Sequence, residues 1–158
     1  MPANTGSIWK RLYGLTWLVV VEFLLALAPG GGQTRAWIHA GLGVAIAALA
    51  WWSYRGLKAT AVPGRVKRTS MATVGHVFVA GGLGVLVFQG VGADVGLFGG
   101  YTLYHALLFV HIFLAVAILA QAAATGIGYD MWQEKEFEQP SQPGEIPPPP
   151  QMSKGARD

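Results

Sequence analysis

A chain of 158 residues is enough for one domain, and this one is 53% hydrophobic with only 12% charged residues, about half the charge of an ordinary soluble domain. With no cysteine, disulfides, thiolate metal sites, iron–sulfur ligation and thioether-linked haem are excluded. The net charge of +3 is modest: eight of eleven basic residues precede position 70 and six of eight acids follow position 129. That asymmetry argues topology and a tail, with no case for nucleic acid.

Four apolar segments, residues 12–28, 36–54, 72–91 and 101–125, make up most of the sequence. Each is close to the ~20 residues that cross a hydrocarbon layer of about 30 Å. Their apolar character runs all the way round, unlike the one-sided stripe of a soluble bundle. The expected fold is an all-α, integral membrane, up-down-up-down four-helix bundle over residues 1–128. A tail over 129–158, acidic and then Pro-rich, follows it.

The first segment follows Lys10 and Arg11 and ends in Ala26-Leu27-Ala28, which looks like a signal-peptidase site. Glu22 inside it favours a signal anchor and first span. The connection 29–35 is glycine-rich and outward-facing. The second segment enters with Trp37 and His39 and closes with Trp51, Trp52 and Tyr54, as interfacial anchors do. The following loop, 55–70, holds Arg55, Lys58, Arg65, Lys67 and Arg68. Lysine and arginine mark the cytoplasmic side, so both termini are expected in the cytoplasm, in a bacterial inner (plasma) membrane.

The third segment carries His76, and Ala72, His76, Ala80 and Gly84 recur at four-residue spacing. Small residues at that spacing let a helix or a flat macrocycle approach closely. The connection 92–100 is a second glycine-rich turn, with Asp94 its sole charge. The fourth segment carries His105 and His111. Gly126 and Gly128 are expected to end this span. Residues 129–138 are acidic enough for one or two helical turns. The remainder includes Pro147–Pro150 and cannot bury enough surface to fold alone. It is expected to be disordered or an extended strap on a cytoplasmic partner.

Intramembrane histidines need a ligand, a proton or a partner. At 1.5 Å per residue, His39 and His105 lie about 5 and 6 Å inside spans two and four, at matched depth near the outer face. That match makes them the favoured axial pair for one haem b, the haem iron being the only metal expected. His111 lies some 9 Å deeper and about 120° round the helix from His105. It serves only if span two begins earlier, and is otherwise expected to bond a backbone carbonyl or hydroxyl. His76, near the inner end of span three, has no histidine at its own depth. Glu22, Arg35 and Gln89 gather in the outer half as supporting or proton-relay groups.

Histidines on the second and fourth helices, in Trp37-Ile-His39 and Tyr104-His105-Ala106, resemble the small four-helix b-type membrane cytochromes, half of a haem A synthase-like bundle. The resemblance implies haem holding. The first outer connection lacks the acidic residue and cysteines of that synthase, so its chemistry does not carry over. Ala72-x-x-x-His76 resembles bacterial light-harvesting polypeptides, which implies (bacterio)chlorophyll on His76. The leading expectation is a membrane subunit of an electron-transfer complex passing electrons to a quinone or a partner subunit. Beside it stands a cofactor-free accessory subunit of a respiratory or photosynthetic complex, packed among other membrane subunits in the lipid bilayer. A transporter is disfavoured by the lack of broken helices or inverted repeats. No nucleophile–base pair or phosphate loop supports a hydrolase or transferase.

Overall fold

The structure is a computed structural model describing residues 5–137. It is all-helical: α1 spans Thr5–Leu27, α2 Gly32–Lys58, α3 Gly64–Phe88 and α4 Leu103–Phe137, with no strand among the described residues. α2, α3 and α4 are long and apolar enough to cross a membrane, consistent with an integral membrane protein. α1 was expected as a span but falls outside this group. Any 18-residue stretch within it includes Lys10, Arg11 and Glu22.

The helices pack as a ring in which α1 meets α2 and α4, and α3 meets α2 and α4 most extensively. α2 and α4 are therefore diagonal. At one end of the ring Trp9 Nε1 and Tyr13 Oη donate to Asp130 across α1 and α4, at 3.2 and 3.4 Å. At the same end Gly56 of α2 lies against Ile8 and Arg11 of α1.

The helices outrun the apolar segments at this end. The basic 55–70 stretch is mostly helix, with only residues 59–63 as connection, because Pro63 opens α3 directly and Val66 and Ser70 are buried. α4 passes through Gly126 and Gly128 because they sit at close helix contacts. A side chain at Gly128 would press Val66 at 3.2 Å. Tyr129, fully buried, holds the continuation in place with Trp132 packed on the same cluster. The expected strap, residues 139–158, lies outside the described residues.

Two apolar clusters form the core. Ile8, Leu12, Leu57, Val62, Val66 and Tyr129 fill the end nearest the basic connection. Leu15, Val19, Ile46, Ala50, Val74, Val77, Ala80, Ile118 and Ala122 fill the middle. Beyond Val19, Ile46, Ala80 and Ile118, toward the 92–100 connection, no described apolar side chain is buried. The histidine-rich third of the bundle is thus the loosely packed one.

Candidate functional site

The polar centre of that loosely packed third is built from α1, α2 and α4, with α3 as backing. Glu22, only 9% exposed, is the one acid buried there. Its Oε1 stands 2.7 Å from Nδ1 of His39. The ring N–H is not directed along that line, so Nδ1 and the second oxygen, Oε2, both lack an aligned hydrogen bond. Facing a carboxylate, Nδ1 is the protonated nitrogen, which leaves the Nε2 lone pair of a neutral His39 free.

His111 completes the arrangement from the diagonal helix. Its ring centre is 6.0 Å from that of His39, with the planes at 70°. His111 Nδ1 donates to the carbonyl of Ala80 at 2.9 Å. A carbonyl only accepts, so the proton sits on Nδ1 and the Nε2 lone pair is again free. One turn along α3, Gly84 makes room for the ring: a Cβ there would come within 3.1 Å of His111 Cε1. No other residue type allows this approach without displacing the imidazole.

His105, the expected partner of His39, is occupied differently. It is exposed, and its Nδ1 accepts from the backbone N–H of Thr102 at 3.2 Å, with Thr102 Oγ1 at 2.9 Å. Thr102 precedes α4 and His105 is its third residue, so the imidazole closes a capping box in the place usual for Glu or Gln. Tyr101 and Tyr104 both set their rings edge-on to it at 5.8 Å. Its Nδ1 lone pair is spent and Nε2 carries the proton. The structure brings His39 to His111 and leaves His105 at the helix start. The cause is helix length: α2 begins at Gly32, placing His39 seven residues in, while His111 is eight residues into α4.

The remaining candidates lie around this centre. Arg35 Nη1 donates to the carbonyl of Ala28, tying the first turn of α2 to the end of α1. The chain reverses there through Gly30 and Gly31 at φ 76° and 82°, where a side chain on Gly31 would meet Arg35 Cβ. Gln89 is exposed at the end of α3, where its backbone N–H donates to the Val85 carbonyl and that of Gly90 to the Val87 carbonyl. His76 is half-buried deeper in the bundle, its Nδ1 within 2.9–3.1 Å of the Gln121 amide. It joins α3 to α4 through one side-chain pair.

Sequence reasoning named each of these residues, and Ala80 and Gly84 as a small-residue stripe beside His76, but not their contacts with His111, because a backbone carbonyl and a missing Cβ leave no chemical signature. The four-residue spacing was the available signal. Compared with known proteins, the chain matches no protein family, no curated protein and no solved structure.

Fitness for a metal group follows from these contacts. Among the described residues no group of three or more His, Cys, Asp or Glu converges as a bare metal ion would need. Two imidazoles with free Nε2 atoms instead suit a macrocycle that fills four positions itself and asks the protein for two. Metal–imidazole bonds run to about 2 Å and a ring nitrogen lies about 1 Å from its ring centre. Two rings bound to one ion stand about 6 Å apart centre to centre, a separation that the His39 and His111 ring centres match at 6.0 Å. The carboxylate on His39, the carbonyl on His111 and the open packing around both fit the same group.

Proposed function

We propose that this protein is a membrane electron-transfer subunit that holds one haem b between His39 of α2 and His111 of α4. The reading rests on one observation: two imidazoles on diagonal helices, 6.0 Å apart, one with Nδ1 beside the Glu22 carboxyl and the other with Nδ1 bonded to the Ala80 carbonyl. Bound haem would supply one-electron chemistry at the iron. The chain's own part is to orient the rings. Glu22 fixes the tautomer of His39, Ala80 fixes that of His111, and Gly84 admits the second ring. The diagonal placement would let the two rings hold the group from opposite helices.

In this reading the helices alternate up and down, with the basic 55–70 end cytoplasmic in a bacterial inner membrane and the haem near the outer face. Electrons pass to a quinone or to a partner subunit of a larger complex, on which the Pro-rich tail lies. The test is a reduced-minus-oxidised absorption spectrum of the purified full-length protein, reconstituted with haem. A b-type α band lost in His39→Ala and in His111→Ala, and kept in His105→Ala and His76→Ala, supports the assignment. A band lost only in His105→Ala and His39→Ala restores the pair read from depth alone. A protein that takes up no haem leaves the cofactor-free accessory role, and (bacterio)chlorophyll uptake abolished by His76→Ala assigns the pigment role.

A further inference from the structure

The connection between α3 and α4 is written in the wrong chemistry for a loop that faces water. From Gly90 to Thr102 it carries a single charge, Asp94, and no Asn, Gln, Lys, Arg or Glu. Its large side chains point away from the protein: Val95 is 46% exposed, Leu97 50%, Tyr101 60% and Phe98 80%. Among the described residues Phe98 is more exposed than any other large apolar residue, including those on the flanks of the spans.

The segment is nevertheless firmly built. Leu103 and Tyr104 donate backbone hydrogen bonds to Val95 and Gly92, at 2.9 and 3.1 Å. Leu97 N–H reaches the Tyr101 carbonyl at 2.9 Å, Tyr101 N–H returns to Phe98 at 3.0 Å, and Gly96 pairs with Thr102. Gly92, at φ 78°, lies where a Cβ would collide with Leu103 at 2.7 Å. The outcome is a small hairpin braced at its base by these bonds, with its apolar tip, Leu97-Phe98, held outward. The tip's remaining amides and carbonyls need water or headgroup oxygens, which confines the hairpin to the interfacial layer and keeps it out of the hydrocarbon core.

The surface is continuous with apolar surface on both sides. Phe88 and Val91 lie exposed where α3 ends, and Phe109 and Val110 where α4 begins. From these observations we infer that the 92–100 hairpin is a lipid anchor, its Leu97-Phe98 tip seated in the interfacial layer of the bilayer with Tyr101 at the polar boundary. The chemistry that recognises it is acyl chain and glycerol, with no headgroup selectivity, since the tip offers no charge. Aromatic and aliphatic side chains at that level are what the interface accepts. The inference needs the membrane setting alone and is independent of haem.

Because the chain has no cysteine, a single nitroxide can be placed anywhere without background. The full-length protein carrying Phe98→Cys, Leu97→Cys, Asp94→Cys or Val44→Cys is labelled and reconstituted in phosphatidylcholine vesicles. Collision with oxygen, which concentrates in lipid, is compared with collision with a water-soluble nickel chelate. The expected result is that labels at Phe98→Cys and Leu97→Cys favour oxygen over chelate, as at the span position Val44→Cys, while Asp94→Cys favours the chelate. Two results overturn the inference. Chelate access at both tip sites means the hairpin stands in water, and poor access to both reagents means that protein covers it. As a second readout, Phe98→Asp should move the label at Leu97→Cys toward the chelate; no movement also overturns the anchor.

Discussion

At the basic end of the bundle Leu12, Leu57 and Tyr129 are almost wholly buried, and four helices close over them. At the other end the sole buried side chain is an acid, Glu22, and the residues around it are imidazoles, glycine and half-exposed apolar groups. One end holds the helices together and the other holds functional groups apart. Tight packing and an accessible pair of ring nitrogens are competing demands, since a core filled to ordinary density has no gap for a ligand. The chain meets both by separating them along the bundle axis.

The comparison is broken first by emptying the packed end. Leu57→Ala should cost about 2–5 kcal/mol, read as a fall in thermal unfolding temperature in detergent. A loss near zero would mean that this end contributes no more than the open one. Filling the open end is the next largest effect. Gly84→Ala places a Cβ 3.1 Å from His111 Cε1, and the displaced ring should cost about 1–3 kcal/mol in stability or in haem retention. At Gly81 and Gly82, where nothing lies within 4 Å of an added Cβ, the same change should be neutral or stabilise by up to about 1 kcal/mol.

Glu22→Gln sharpens the comparison chemically. It replaces the carboxyl beside His39 without changing side-chain volume and, in the proposed haem-bound protein, should weaken haem retention by about 10–100-fold in a transfer assay to a competing acceptor. Unchanged retention would reduce Glu22 to a helix-register role. The smallest effect belongs to Ser53, 1% exposed in the packed half and without a hydrogen-bond partner for Oγ. Ser53→Ala should leave stability unchanged or raise it by up to about 1 kcal/mol, because it removes an unpaired buried hydroxyl.

Much of this architecture was legible in the residues. Apolar runs of spanning length, broken by glycine, found all four helices, because the bilayer makes length and composition nearly sufficient. The ends were less legible. Residues 64–70 are basic yet helical, and α4 outruns its apolar segment by about three turns. Those extensions are held by tertiary contacts such as Tyr129 and Val66, which a hydropathy pattern does not record. The site suffered from the same uncertainty. Placing the start of α2 at Ala36 in place of Gly32 shifted the depth of His39 by about one turn, enough to match it with His105 in place of His111, whose ring it approaches. The capping role of His105 was also hidden, since a histidine three residues after a threonine has no unique meaning until the helix start is known.

Helix α3 contributes neither of the two paired rings, yet it governs one of them. The Ala80 carbonyl selects which nitrogen of His111 bears the proton, and Gly84 sets how far the imidazole can lean. A slide of α3 along α4 would therefore reorient His111 with no change in that residue or in His39. Natural variation or engineering that seeks to tune this centre has its control knob on a bystander helix, one turn of backbone long.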